Sequence, residues 1–99
     1  CMLVQASVDD THAIENWMQQ INDRMGRIDV LFHSAAVWDP KPLEATQPED
    51  VLTQFKINTL GTFLCAQQVG LRMTQQASGG TIILTGDWAV NRPYRNFAA

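Results

Sequence analysis

The stretch Gly80-Thr81-Ile82-Ile83-Leu84-Thr85-Gly86-Asp87-Trp88 decides the fold of this chain. Its β-favouring and apolar residues 81–84 predict a buried strand, and Thr85-Gly86-Asp87 predicts a polar loop directly after it. In an open parallel sheet, ligands bind at the carboxyl ends of the strands. The sequence therefore predicts that the upstream chain is a scaffold that places Asp87 at a binding site.

Composition and charge are those of an ordinary globular domain. The 99 residues are 45% hydrophobic and 17% charged, and 7 basic against 10 acidic residues give a formal net charge of -3. The absence of a Lys/Arg cluster argues against a nucleic-acid partner. No apolar run approaches the ~20 residues of a membrane span, so no membrane partner is expected either.

The two cysteines favour a reducing, cytoplasmic location, because Cys1 and Cys65 are too few for a disulfide framework. Cys65 falls inside a helical pattern and is expected to be a small buried hydrophobe. The first residues lack a charged leader, a cleavage site and an initiator Met, which argues against a signal peptide. They have the pattern of a strand interior, so we expect an internal piece of a longer domain.

A first strand and a first helix are predicted in the amino-terminal third. Residues 2–6 are a short apolar run, and Asp9 or Asp10 can cap a helix over residues 11–25. Gly26 is expected to end that helix in the left-handed conformation. One apolar stripe with helical spacing supports it: Ile14, Trp17, Met18, Ile21 and Met25.

The second strand is predicted over residues 28–33, and consecutive apolar residues in it indicate burial on both faces. It ends in the small residues Ser34-Ala35-Ala36, which permit the close approach of a ligand. Two prolines mark residues 37–45 as a loop.

The second helix is predicted to begin with a capping box, with Thr46 at the N-cap and Glu49 three residues later. Its apolar pattern continues to Ser78-Gly79-Gly80, which gives one helix of about thirty residues, long for a small domain. Gly61 and Gly70 inside it each cost ~1 kcal/mol relative to Ala, which indicates close packing against a neighbour. The alternation of three strands with two helices predicts an α/β fold with right-handed crossovers and a parallel sheet.

Motifs for common chemistries are absent: the sequence has no G-x-G-x-x-G, Walker, H-E-x-x-H, C-x-x-C or G-x-S-x-G pattern. His12 and His33 lack companions at ligand spacing, so no metal site is expected. Asn58 is either a polar residue on a solvated helix face or a side chain that holds a water or a carbonyl at a helix irregularity. Asp87 is either a turn or capping residue or a functional carboxylate, and Trp88 is expected in the core or in a lid.

Three segments together resemble the short-chain dehydrogenase/reductase family. Residues 26–31 followed by 33–36 resemble its F-G-x-[IL]-D-x-L-[VI]-N-N-A-G segment. Residues 58–63 resemble its N-x-x-G-x-F helix motif, and residues 79–87 resemble its G-G-x-I-[VI]-x-x-[ST]-S strand. The resemblance implies a Rossmann-type doubly wound parallel sheet, with residues 1–99 as the central β-α-β-α-β part of one NAD(P)-binding domain.

The resemblance also implies roles for single residues. Asn58 matches the catalytic Asn, which in the family holds a water in the proton relay. Asp87 matches the catalytic Ser, which hydrogen-bonds the reacting oxygen of the substrate. The residues that match cofactor contacts are Ser7, Val8, His33, Ser34, Ala35 and Ala36.

Four departures from the family pattern accompany these matches. Ser7 replaces Asp, His33-Ser34 replaces Asn-Asn, Ala36 replaces Gly, and Asp87 replaces Ser. The pteridine-reductase branch also has Asp at the last of these positions. Asp-Trp-Ala followed by Arg-Pro-Tyr is similar to a group of bacterial reductases near that branch, and the bacterial 3-oxoacyl-carrier-protein reductases are a related branch.

The implied function is the reduction of a carbonyl or imine in a small molecule, with a pteridine-like, 3-oxoacyl or ketone substrate. The cofactor would be NADP or NAD, with NADPH preferred. The family's glycine-rich loop is expected before residue 1 and its Tyr-x-x-x-Lys just past Ala99, so the fragment alone is expected to be inactive. Tyr94 falls too early to replace that Tyr.

Two further hypotheses concern the partners of the protein. The departures also fit a protein that binds a nucleotide or a partner without turnover. In the family, the long helix packs against its counterpart in a homotetramer, so a homo-oligomer through residues 47–76 is expected. The residues assigned to that face are Phe55, Leu60, Phe63, Leu64 and Val69.

Overall fold

Two parallel strands and a layer of helices form the fold. The computed structural model describes residues 1–99, apart from the side chain of Val90. The helices are α1 (Thr11–Met25), α2 (Pro48–Gln54) and α3 (Thr62–Thr74), and the strands are β1 (Val30–His33) and β2 (Thr81–Leu84). A π-helical turn, Phe55–Gly61, joins α2 to α3, and short 3-10 turns lie at Leu43–Ala45 and Trp88–Val90.

The parallel sheet predicted from the sequence is confirmed. Strands β1 and β2 pair in parallel, with Val30 opposite Thr81 and His33 opposite Leu84. Both strands therefore end at the same edge of the sheet, where the Thr85 amide donates to the His33 carbonyl at 3.1 Å. The residues that follow the two strands are brought side by side at that edge.

Helix α1 has the bounds that the sequence predicts. Of the two candidate caps, Asp10 is the N-cap, and its carboxylate accepts from the amides of His12 and Ala13 at 2.9 and 3.1 Å. Gly26 ends the helix with φ 74°, in the left-handed region where glycine has no steric penalty. Ile14, at the centre of the apolar stripe, is fully buried.

The second predicted helix starts later than the sequence indicates and is not a uniform α-helix. Its N-cap is Gln47, and Asp50 completes the capping box in place of the predicted Thr46 and Glu49. Thr46 is unavailable as a cap because its hydroxyl donates to the Pro42 carbonyl at 3.0 Å. The helical backbone then continues through the π turn and ends at Thr74.

The prediction of a first strand over residues 2–6 is wrong for the described chain, because this segment forms no ladder with a neighbouring strand. A strand is held by backbone hydrogen bonds to its neighbours, and the sheet of the described chain contains β1 and β2 alone. Every second side chain of the segment still faces the same side, as in a strand: Met2, Val4 and Ala6 line one depression beside Leu31.

The prediction that both strands are buried is also wrong for the described chain. Phe32 is 63% exposed and Ile83 is 45% exposed. Among the described helices, only α3 packs directly on the strands, while α1 packs on α3. One layer of helices covers one side of a sheet, so apolar side chains on its other side stay open to solvent.

The close packing predicted at Gly61 is confirmed. A Cβ at this position would lie 2.6 Å from Val8 Cγ2 and 3.1 Å from the Val8 carbonyl oxygen. A Cβ at Gly70 would lie 3.5 Å from Ile82 Cδ1, which is an ordinary contact. The two helical glycines therefore differ: only Gly61 is required for the approach of another segment.

We expect the substitutions Gly61→Ala and Gly70→Ala to have opposite effects on stability. Gly61→Ala should lower the free energy of unfolding by up to about 2 kcal/mol, because overpacking costs about 1–3 kcal/mol and better helix propensity returns only about 1 kcal/mol. Gly70→Ala should leave it unchanged or raise it by up to ~1 kcal/mol. Urea unfolding of both variants is the measurement, and equal effects would contradict the close contact with Val8.

Candidate active site

A cleft of about 440 Å³ lies at the carboxyl ends of the two strands. It contains both residues that the sequence matches to catalytic positions, Asn58 and Asp87, together with Ala35 and Ala36. These four come from three separate stretches: the end of β1, the π turn and the loop after β2. The fold thus brings together residues that lie up to 52 positions apart in the sequence.

Asn58 is not on a solvated helix face, so that interpretation is wrong. Its side chain is half-buried, in the π turn, and binds both the backbone amide and the backbone carbonyl of Val37. The Val37 amide donates to Asn58 Oδ1 at 2.8 Å, and Asn58 Nδ2 donates to the Val37 carbonyl at 3.0 Å. The alternative prediction, that Asn58 holds a carbonyl at a helix irregularity, is confirmed.

A consequence concerns the water that the family resemblance assigns to Asn58. The side-chain amide already binds Val37 with its oxygen and its nitrogen. The Asn58 carbonyl oxygen accepts the Thr62 hydroxyl at 2.7 Å. If Asn58 holds a water, we expect its backbone carbonyl to bind it, because both side-chain N–H groups are already bound, to Val37 and Gln54.

Asp87 lies at the lip of the cleft and is exposed. Its Oδ1 accepts from the Ala89 amide at 2.8 Å, which caps the 3-10 turn Trp88–Val90. The interpretation of Asp87 as a capping residue is therefore confirmed. The second carboxylate oxygen has no hydrogen-bond partner among the described residues, so it is free for a ligand.

The residues matched to cofactor contacts are only partly brought together. Val8, His33, Ser34 and Ala35 line a second depression of about 410 Å³ on the other side of the β1 end. Ala35 lines both this depression and the cleft, so the two are adjacent. A planar group seated across Ala35 would reach both, and the small exposed side chains at this strand end leave space for it.

Ser7 is not part of either cavity. Its hydroxyl donates to Asp9 in the turn that leads to α1. A contact between Ser7 and the adenine of a cofactor therefore stays a prediction. Val8 is placed by its contact with Gly61, which ties the predicted cofactor segment to the turn that carries Asn58.

The cleft is lined by an aromatic cluster, which the sequence analysis did not identify. The Trp38 ring lies 5.7 Å from that of Tyr94 and 5.0 Å from that of Phe97. Trp88 packs edge-on against Tyr94 at 5.6 Å and is 56% exposed, so it does not lie in the core. The signal in the sequence was Trp38, which comes two residues after the small residues at the end of β1.

The loop between β1 and α2 is held by an ion pair at the start of α2. Lys41 Nζ lies 2.5 Å from Asp50 Oδ1 and 3.2 Å from Asp39 Oδ2. The hydrogen bond from Lys41 lowers the pKa of Asp50, and the bonds to Asp50 and then Asp39 raise the pKa of Lys41. The Lys41 amide also donates to the Asn96 carbonyl at 2.7 Å, which connects this loop to the aromatic cluster.

The ion pair should make stability fall at both ends of the pH range. The pKa of Asp50 is lowered, so its contribution is present above its ordinary pKa and is lost as the pH falls through the lowered value. The pKa of Lys41 is raised, so its contribution is lost as the pH rises through the raised value. Lys41→Met should flatten both limbs of the pH profile of urea unfolding, and Asp39→Asn should do so less. An unchanged profile in Lys41→Met would contradict this assignment.

Two other kinds of site find no support in the described part of the chain. Its helices include none that combines the length and the apolar character needed to cross a bilayer. Within that same part, no three or more His, Cys, Asp or Glu side chains are grouped so that they could hold a metal ion. Cys65 is buried, as predicted, and burial raises the pKa of its thiol.

Comparison with known sequences gives a consistent set of relatives. A family model described as enoyl-(acyl carrier protein) reductase matches residues 1–99. A chloroplastic NADPH-dependent aldehyde reductase-like protein of Arabidopsis thaliana is 30% identical over 87 residues, which are 85% of this chain and 32% of the relative. D-threitol dehydrogenase of Mycolicibacterium smegmatis is 37% identical over 76 residues, 77% of this chain and 29% of the relative.

Solved structures agree with the sequence matches. A short chain dehydrogenase from Bacillus anthracis superimposes with a TM-score of 0.87 at 28% identity, over 94% of this chain and 39% of that protein. An NAD+-bound xylitol dehydrogenase gives a TM-score of 0.85 at 24% identity, over 94% and 36% of the two chains, and shares the fold. The chain spans about a third of the length of the curated relatives it matches.

Proposed function

The chain belongs to the short-chain dehydrogenase/reductase family, and from this premise we propose that it is the central part of an NAD(P)(H)-dependent oxidoreductase. The proposed reaction is the reduction of a carbonyl or imine in a small molecule. The observation that carries the proposal is the cleft that joins Asn58, Asp87 and the small residues after β1. The glycine-rich loop and the Tyr-x-x-x-Lys pair are proposed to lie in the remainder of the full-length protein.

The residues of this chain would bind and orient the reactants. Val8, His33, Ser34 and Ala35 line the depression that we assign to the cofactor, and Ala36 lines the adjoining cleft. The reduced nicotinamide of a bound cofactor would supply a hydride. The free Asp87 oxygen would hydrogen-bond the substrate, and the Asn58 carbonyl would hold a water for proton delivery. NADPH is the cofactor we propose in preference to NADH.

The aromatic cluster favours a flat, nitrogen-containing ring as the substrate, which is the pteridine-like alternative. Trp38 is 61% exposed and lines the same cleft as Asp87. Aromatic faces bind planar rings by offset stacking, and an ionised carboxylate accepts hydrogen bonds from ring N–H groups. A 3-oxoacyl chain would use the apolar walls but has no N–H group next to its ketone for Asp87 to bind.

Assembly and location are also proposed. Phe55 and Phe63 are more than half exposed along the segment that the family resemblance assigns to a subunit contact, which supports a homo-oligomer through residues 47–76. Val69 does not belong to that face, because it is 1% exposed and packs inward. Leu64 is half-buried and at most borders it. Both cysteines are free thiols, which fits the proposed cytoplasmic location.

The proposal is tested by cofactor oxidation in the full-length protein. We expect NADPH absorbance to fall on addition of an oxidised pterin-type ring, and to fall more slowly with a 3-oxoacyl thioester. Turnover of the thioester alone would show that the substrate is a 3-oxoacyl compound. Tight NADPH binding without any turnover would instead support the alternative hypothesis, a nucleotide-binding protein of the same fold.

A further inference from the structure

His33 is a buried polar residue that lines the depression assigned to the cofactor. It is 6% exposed and ends β1. Its Nδ1 lies 3.5 Å from the Thr62 hydroxyl, a long hydrogen bond, and its Nε2 is buried without a partner among the described residues. Buried polar atoms are nearly always paired, so an imidazole with one orphaned nitrogen needs a physical account.

Proton counting fixes the state of this imidazole. The Thr62 hydroxyl has one proton and donates it to the Asn58 carbonyl at 2.7 Å. Thr62 Oγ then faces His33 as an acceptor, and we assign the imidazole proton to Nδ1 on that ground. In the other neutral tautomer, Nδ1 would face Thr62 lone pair to lone pair, and the buried Nε2–H would have no acceptor.

A chain of hydrogen bonds follows from this assignment, running from His33 Nδ1 to Thr62 Oγ and on to the Asn58 carbonyl. The hydroxyl that receives a hydrogen bond becomes a better donor, since such chains polarise their members. The carbonyl at the end of this chain is the Asn58 group that we assign to the water, because the Asn58 side-chain amide is held by Val37 and Gln54.

The backbone of His33 reaches the other side of the cleft. Its carbonyl accepts from both the amide and the hydroxyl of Thr85, each at 3.1 Å. Thr85 is two residues before Asp87. One residue thus connects the turn that carries Asn58 to the loop that carries Asp87.

We propose that His33 is a positioning residue for the reaction, which holds Thr62 and through it the Asn58 carbonyl in the orientation that the proton relay requires. This inference rests on the proposed function for the role of Asn58. The tautomer and the hydrogen-bond chain do not depend on that function, so they can be tested separately.

Two pairs of variants test the chain in the full-length protein. The amide of His33→Asn takes the place of Nδ1, whereas that of His33→Gln takes the place of Nε2. Thr62→Ser keeps the hydroxyl and Thr62→Val removes it. We expect His33→Gln and Thr62→Val each to lower kcat about tenfold, because a small displacement of a catalytic group lowers the rate strongly. His33→Asn and Thr62→Ser should each lose less kcat than the other variant at the same position. Because His33 lines the depression assigned to the cofactor, kcat of its variants is compared at saturating NADPH.

Controls separate positioning from stability. Thr53→Val removes the same type of bond, from the Thr53 hydroxyl to the Glu49 carbonyl at 2.8 Å, in α2 and outside the cleft, so kcat should not change. The double variant His33→Gln/Thr62→Val should be no slower than the slower single variant, because both break one chain. Equal kcat in Thr62→Val and Thr53→Val, or fully additive losses in the double variant, would overturn the proposal.

The tautomer gives a readout that needs no activity. A long-range proton–nitrogen correlation spectrum of the wild-type imidazole distinguishes a proton on Nδ1 from one on Nε2. We expect the proton on Nδ1, and a proton on Nε2 would overturn the chain even in an active enzyme. Absence of any turnover, with the proton on Nδ1, would instead refute the proposed function and leave the hydrogen-bond chain in place.

Discussion

Replacement of Asp87 by alanine is expected to lower kcat/KM of the full-length protein about 100-fold, the loss typical when a single group that contacts the reacting centre is removed. The carboxylate lies in the cleft with one oxygen on the Ala89 amide and the other free. The alanine variant loses both the cap and the free oxygen, so it does not separate the two roles.

Asp87→Asn is the matched variant for that separation. Asn is as good an N-cap as Asp, so the bond to the Ala89 amide and the 3-10 turn should be kept. The negative charge is lost, and charged hydrogen bonds are roughly twice as strong as neutral ones. We therefore expect a drop of at least about tenfold in kcat/KM with an unchanged melting temperature. Full activity in Asp87→Asn would show that Asp87 acts as a cap alone.

Replacement of Asn58 by leucine is expected to damage both stability and activity. Leucine has a similar size but leaves the Val37 amide and carbonyl without their partners, at 2.8 and 3.0 Å in the wild type. An orphaned buried backbone group costs about 1–3 kcal/mol, and the site is half-buried, so we expect a total loss of about 2–3 kcal/mol. The released loop carries Trp38, so kcat/KM should fall as well.

Amide hydrogen exchange shows whether this loss arises at the predicted place. The Val37 amide should exchange faster in Asn58→Leu, since its acceptor is gone. Asn16→Leu, a change of the same type at an exposed position of α1, should alter neither exchange at Val37 nor stability by more than about 0.5 kcal/mol. Unchanged protection of Val37 in Asn58→Leu would contradict the clamp.

Local signals in the sequence were sufficient for the elements that are held locally. Helix α1 depends on a cap and a C-terminal glycine, which are adjacent in the chain, and both of its ends were predicted. The start of α2 was missed by one residue because Thr46 bonds backward to Pro42, and a cap pattern does not reveal which of two partners a hydroxyl will choose. The strand over residues 2–6 was wrong because pairing depends on neighbours and not on the segment itself.

The candidate site was predicted only where single residues carried a motif. Asn58 and Asp87 were identified, and they do line one cleft. The partner of Asn58 was not, because the backbone of Val37 has no side-chain signature and comes from 21 residues away. The cluster of Trp38, Tyr94 and Phe97 was missed for the same reason. Its rings come together only when the loop that follows β1 forms a backbone hydrogen bond to the C-terminal segment.

The central claim is that this cleft belongs to a reductase that uses a reduced nicotinamide cofactor. The most direct test gives the full-length protein NADPH deuterated at the transferable position, together with an oxidised pterin-type substrate, and analyses the product by mass spectrometry. We predict one deuterium bound to carbon in the reduced product, in wild type but not in Asp87→Ala over the same time. A reduced product without deuterium, or deuterium transfer that does not depend on Asp87, would contradict the account.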